Sequence, residues 1–417
     1  MNDMRMSPNL ALNQLVAQRQ AAGEPLIHLG FGESRLPPFA PLMERLAAGA
    51  KRNAYGPVAG TPGVRAAVAG YFSRRGVPTG ADQIVVAPGS KPLLMALGHV
   101  VPGDVLLPRP AWNTYAPQAR LAGKHPIAVA IPEECGGVPD PRSLRESITA
   151  ARVLGRDPRI MVLTLPDNPT GTLAPPALVR ELCAIAREEG LLIVSDEIYR
   201  DVVHDPATEF LSPAEVAPEI TVTATGLSKS LALGGWRIGA ARFPQGPWGE
   251  WIRSGVVSVA SEIWSTLAQP MQEVAEYAFG EPEEIRDRLR ASARLHGAVA
   301  REVHRIAVDA GATCRPPTGA FYVYPDFEPV RGELAKYGVT DSPTLARRML
   351  DLGIVVLAGH LLGDEGEALR FKCATSMLYG DTVGEQQLAL DAADPVALPH
   401  IRLLLDRIED GFQQLVP

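Results

Sequence analysis

Short apolar runs, each followed by a turn and then by a stretch with helical spacing, recur through the middle of this chain. That alternation leaves few folds open. The runs occupy residues 83–87, 104–107, 160–164, 191–194 and 220–225. The first four are largely continuous Val, Ile and Leu rather than apolar–polar alternation, and the fifth is a β-branched run that reads as a buried strand, so both faces of each strand are expected to be buried under helices. The fold class expected is α/β: a large domain whose mostly parallel sheet is covered by helices, plus a smaller α+β domain. With 417 residues the chain is long enough for two such units. A long helix is predicted from Glu283 to about residue 310, then strands at 319–324 and 368–373 around a helix at 344–352, and a last helix at about 401–412. Residues 378–399 read as loop. The boundaries drawn are 1–45 for an N-terminal arm and part of the small domain, 46–285 for the large domain and 286–417 for the small C-terminal domain.

Open parallel sheets bind ligands at the carboxyl ends of their strands. In this chain those ends carry Gly89 and Ser90, then Trp112, Asn168, Asp196 with Tyr199, and Lys229. Gly89-Ser90 opens a helix predicted from Leu93, so free backbone N–H groups and a favourable dipole face an anion there. Lys229 stands among small residues with Arg237 eight positions on. An amine able to form a Schiff base beside a phosphate-binding fork is what pyridoxal 5'-phosphate (PLP) requires of a protein. In that reading Asp196 faces the ring nitrogen, Asn168 and Tyr199 donate to the phenolate oxygen, and Trp112 stacks on the ring. Each residue also has a plainer use: Asp196 as a helix cap, Trp112 as core, Lys229 as a solvated loop residue. Arg370, placed mid-strand, needs an anion. The candidates are a substrate α-carboxylate and a buried structural ion pair.

Several classes are disfavoured. The formal net charge of −7 speaks against nucleic acid and anionic membrane as partners. Four scattered cysteines form no CxxC pair, so no metal site and no disulfide framework are expected, and a cytoplasmic location is the default. The start, Met1 to Arg5, lacks the pattern of a signal peptide. No apolar run approaches the ~20 residues of a membrane span. Residues 8–22 read as a short helical arm, and the glycines of Gly30-Phe31-Gly32 as a place where backbone passes close to another group.

Together these residues form a known pattern. Tyr55-Gly-Pro-x-x-Gly60, Pro110-Ala-Trp112, Pro166-Asp-Asn-Pro-Thr-Gly171, Ser195-Asp-Glu-Ile-Tyr199 and Ser228-Lys229 with Arg237 occur in the order of the fold-type I, class I/II PLP-dependent aminotransferases, which the chain resembles along nearly its whole length. The resemblance implies a homodimer with a shared active site, acting on an α-amino acid and a 2-oxo acid through an aldimine on Lys229. It implies ring contacts from Asp196, Asn168, Tyr199 and Trp112. The phosphate would be surrounded by Gly89, Ser90, Lys91, Ser228 and Arg237, with Tyr55 reaching in from the neighbouring subunit. Arg370 would hold the α-carboxylate, helped by the backbone of Gly32 and by Asn168. A PLP-dependent lyase, cyclase or oxidase would share these contacts. The chain departs from the family at Gly32-Glu33-Ser34-Arg35, at Asp167 and in the longer stretch after Arg370. Arg35, Glu262 and Trp264 are candidates for side-chain selectivity.

Overall fold

The computed structural model describes residues 6–415, so the reading of Met1 to Arg5 lies outside the described residues. Seven strands form the main sheet: β1 Ile84–Ala87, β2 Asp104–Arg109, β3 Pro126–Ala130, β4 Pro158–Thr164, β5 Leu192–Asp196, β6 Thr221–Gly226 and β7 Gly239–Arg242. Their spatial order is β1-β7-β6-β5-β4-β2-β3. β1 to β6 share one direction, and β7 runs against both of its neighbours.

The continuous apolar runs have the physical cause expected of them. Along a strand, side chains alternate between faces. Val85 and Ala87 of β1, Ile160 and Val162 of β4 and Leu192 and Val194 of β5 enter one core, beneath helices Ser90–Val100 and Pro247–Ile263. Ile84 and Val86 enter a second core under helices Pro62–Arg74 and Gln269–Gly280. Met161, Leu163 and Ile193 enter a third, with helix Pro176–Glu189. That helix stops where the sequence suggests, at Gly190, whose φ of +67° is left-handed and costs glycine nothing.

A separate core lies around helix Glu283–Asp309, to which helices Ser342–Asp351 and Pro399–Gln413 and the strand Phe371–Ala374 contribute. Phe371–Ala374 is the middle strand of a small antiparallel sheet, between Leu357–Ala358 and Tyr322–Val323. Ile27–His28 pairs in parallel with Ile354–Val355, which ties the N-terminal stretch to this second core.

Four local expectations are corrected. The helix after β1 begins at Ser90 rather than Leu93, because Gly89 turns the chain with φ of +93° and brings Ser90 and Lys91 into the first turn. Residues 319–324 form a strand only at Tyr322–Val323, since Ala320 is left-handed (φ 55°) and its N–H goes to Val202. Residues 378–399 contain a helix, Val383–Asp391, capped by reciprocal bonds between Thr382 and Glu385. Arg370 precedes the strand instead of lying within it.

Candidate active site

The carboxyl ends of β1, β2, β4, β5 and β6 converge on one cavity of about 440 Å³. At one end, two backbones meet so closely that side chains are excluded. A Cβ on Gly239 would lie 2.2 Å from the carbonyl carbon of Gly89, and one on Gly89 would lie 2.3 Å from Arg237 Nη2. This contact sets the first turn of helix Ser90–Val100 beside the Arg237 guanidinium, which donates to Gly234 O at 2.8 Å. Arg237 itself holds a left-handed φ of 57°, an uncommon conformation for a residue with a Cβ. Ser90, Lys91, Ser228, Lys229 and Arg237 all line the cavity here. Burial and the charge of Arg237 hold the Lys91 ammonium below its ordinary range. Burial brings Lys229 down to about 8, with Arg237 and Lys91 adding to the shift. Three cations that repel one another at a helix N-terminus make a site for an anion such as a phosphate.

At the other end stands Asp196, the last residue of β5, which is 2% exposed. Tyr115 Oη donates to Asp196 Oδ2 at 2.8 Å, and the Ile198 N–H donates to Oδ1. Burial raises the Asp196 carboxyl to about 6, and the bond from Tyr115 opposes that rise. Asn168 lines the same cavity, and its Oδ1 is buried without a partner among the described residues. The Asn168 turn is braced against the small sheet: at Gly171, with φ of +72°, a Cβ would lie 2.1 Å from Tyr322 O. Asp167, one residue away, accepts from Thr170 N and Oγ1 at 3.0 and 2.6 Å and so builds the turn. Trp112 forms a wall, edge-to-face with Tyr115 and with Lys91 Nζ 5.2 Å from its ring.

Lys229 Nζ donates to Gly32 O at 2.5 Å. Gly32 is pressed against Tyr322, whose Oη would lie 2.3 Å from an added Cβ, so the close approach expected of this glycine is real. Tyr199 and Tyr322 share a hydrogen bond at 2.5 Å between their hydroxyls. Two residues of the arm, Asn9 and Leu10, also line the cavity, and Asn9 Nδ2 donates to Asn113 Oδ1 at 2.9 Å.

Gly32, Ser90, Lys91, Trp112, Asn168, Asp196, Tyr199, Ser228, Lys229 and Arg237 are therefore brought together, with Gly89 directly behind Arg237. Tyr55 is not among them; it is 90% exposed on the single chain. Arg370 is also absent. Its Nε donates to Asp326 at 2.7 Å and its Nη1 to both oxygens of Asp364 at 3.2 Å, beside a second cleft. In the single chain the partners of Arg370 are thus those of the structural ion pair. Arg35 pairs with Asp381, Trp264 packs against the first core, and Glu262 is exposed; none of them lines the cavity.

The sequence reading missed Tyr115, Tyr322 and Lys372, all of which line the cavity. Tyr115 had a usable signal, being a tyrosine three residues past Trp112 at a strand end.

Residues 24–377 match the family model described as aminotransferase class I and II. The chain belongs to this family. It is 32% identical to the aspartate/prephenate aminotransferase of Thermus thermophilus over 89% of this chain and 93% of that protein. It is 31% identical to the corresponding enzyme of Cereibacter sphaeroides, over 86% and 90%. A solved structure of the Thermus thermophilus aspartate aminotransferase with maleate superposes with a TM-score of 0.80 at 27% identity, covering 93% of this chain and 96% of that one. The protein is an aminotransferase with the fold-type I architecture, and its function and fold class agree with the reading of the sequence. Among the described residues no helix is long and apolar enough to cross a membrane.

The cavity residues fit PLP, the cofactor on which this family generally relies. The cation cluster suits a phosphate, the buried Asp196 suits a ring N–H, and the Asn168 side chain, which lines the cavity, has an amide N–H to offer a ring oxygen. One test follows from Tyr115. In Tyr115→Phe the donor that lowers the Asp196 pKa is lost, so Asp196 stays protonated to higher pH. The acid limb of the pH–rate profile should move upward, with a several-fold loss at pH 6 and little change at pH 8.

Proposed function

We propose that this aminotransferase bonds PLP through Lys229 and moves an amino group from an α-amino acid to a 2-oxo acid in a ping-pong cycle. The observation that carries the proposal is the single cavity that joins Lys229 to Asp196 at one end and to Ser90, Ser228 and Arg237 at the other. PLP, when bound, supplies an aldehyde for amine exchange and a protonated ring that draws electrons from the substrate Cα. Arg237, Ser90, Ser228 and the helix N-terminus orient the group by its phosphate. Asp196, charged above about pH 6, accepts the ring N–H. Asn168 and Tyr199 donate to the ring oxygen, and Trp112 covers one face. Lys229, brought down to about 8 by burial, gives up its proton more readily than an ordinary lysine and carries the proton away from Cα.

The same reading makes the protein a cytoplasmic homodimer in which Tyr55 of each subunit reaches the other's cavity; the exposure of Tyr55 supports this. It divides the chain into a large domain of residues 46–285 and a small one of 286–417, with residues 1–45 as an N-terminal arm and part of the small domain. The relatives' names make aspartate the first amino donor to try.

The experiment is to mix PLP-loaded protein with single amino acids and no 2-oxo acid. The expected result is one equivalent of oxo acid per site, loss of the visible absorbance, and no further turnover. Continuous turnover with release of ammonia or peroxide would contradict it.

A further inference from the structure

Two amines share one corner of the cavity. Lys229 Nζ donates to Gly32 O at 2.5 Å, and Gly32 is pressed against Tyr322. Lys372 reaches the same corner from the strand Phe371–Ala374, with its Nζ 5.0 Å from the centre of the Tyr322 ring. It is 0% exposed and lines the cavity, and its Nζ has no hydrogen-bond partner among the described residues. The ring contact is weak and leaves the donors of the ammonium unused.

A buried ammonium without a counter-ion is costly, so its retention in a cavity points to a use for its charge. The groups acting on Lys229 are Glu33 and Asp196, which favour its charge, and Arg237 and Lys91, which oppose it. Lys372 and Lys229 also oppose one another. Burial and the repulsion from Lys229 bring Lys372 to about 7, against about 8 for Lys229. Nothing else in the corner takes up a proton in that range. Burial, Arg35 and Lys372 hold His28 down to about 4, and burial holds the Cys373 thiol and the Tyr322 and Tyr199 hydroxyls well above their ordinary values. The two lysines therefore compete for one positive charge, and a free Lys229 amine takes it first.

We propose that Lys372 holds this charge whenever Lys229 is bonded to the cofactor, and that it thereby keeps the proton off the bonded Lys229 nitrogen. The inference rests on the PLP–Lys229 reading above and takes nothing from the expected part of Arg370 at the α-carboxylate. Its reason is basicity. A nitrogen double-bonded to carbon is a weaker base than an amine, so bonding of Lys229 reverses the order of the two lysines. Lys372, freed from the repulsion that lowers it, becomes the stronger base and stays charged at neutral pH. Its charge in turn favours the unprotonated form of the neighbouring nitrogen. That form can accept a proton from the amino donor, which arrives as an ammonium and must lose one before it attacks. Lys372 acts through Lys229, as a positioning residue.

The test is a pH titration of the visible absorbance of the PLP-loaded protein, which reports protonation of the bonded nitrogen without any turnover. Lys372→Met should raise the midpoint by about one pH unit, the effect of removing one nearby like charge. K372Q removes the charge and keeps a polar group, so it should show the same rise even where the apolar variant folds poorly. K372R keeps the charge and should titrate within about 0.3 unit of the unaltered protein. In K372M and K372Q, kcat/KM for the amino donor should fall about fivefold at pH 7 and return to within about twofold at pH 9, with K372R close to the unaltered protein at both. An unchanged or lowered midpoint in K372M and K372Q overturns the proposal. So does an equal rise in K372R, which would trace the effect to shape, or a loss of activity that is the same at both pH values. Absence of the visible absorbance in the unaltered protein defeats the Lys229 reading, whereas a midpoint that does not move with Lys372 defeats only this inference.

Discussion

Lys229→Ala should lower the rate of the amino-donor half-reaction by at least about 10⁴-fold. Loss of a positioned general base alone is worth about 10²–10⁴, and this residue is also the amine that the cofactor aldehyde bonds. Lys91 and Lys372 line the same cavity. Lys91 belongs to the anion end, and Lys372 stands beside Tyr322, so neither amine is placed to substitute. The fold should be nearly unaffected, because the side chain makes one hydrogen bond, to the Gly32 carbonyl. Single-turnover absorbance with the best donor measures the effect. A loss of less than tenfold would mean that another group moves the proton.

Asp196→Asn should cost about 10³-fold in the same half-reaction, roughly 4 kcal/mol of transition-state stabilisation. The amide fills the same space and can still accept from Tyr115, so stability and cofactor affinity should change far less than rate. What disappears is the negative charge that keeps the ring nitrogen protonated. A cofactor analogue with a permanently cationic ring, N-methyl-PLP, should restore part of the rate to Asp196→Asn and not to Lys229→Ala. Failure of the analogue to discriminate between them would remove Asp196 from the role.

What could be read from the sequence follows from which interactions are local. Strands β1, β2, β4 and β5 announce themselves because burial on both faces demands apolar runs, and β6 by its β-branched residues; the residues just beyond them reach the cavity by connectivity alone. β3 was missed: its pattern is half-exposed, as befits the last strand of the sheet. Tyr322 was hidden for another reason. Its strand is two residues long, and the hydroxyl meets Tyr199 across 123 positions of sequence. Arg370 shows the limit most plainly. A charged residue beside a strand signals only that an anion is near. Whether that anion is a substrate or Asp326, 44 residues upstream, depends on packing that no local pattern encodes. The helix Val383–Asp391 escaped because its apolar residues lack a clean stripe; only Ala389 and Leu390 are buried.

Three lysines line the cavity, so the position of the covalent bond is the sharpest question. Borohydride reduction of the PLP-loaded protein, followed by peptide mapping, answers it directly. One pyridoxyl group per chain, on Lys229, is the expected result. A label on Lys91 or Lys372, or no label at all, would contradict the assignment.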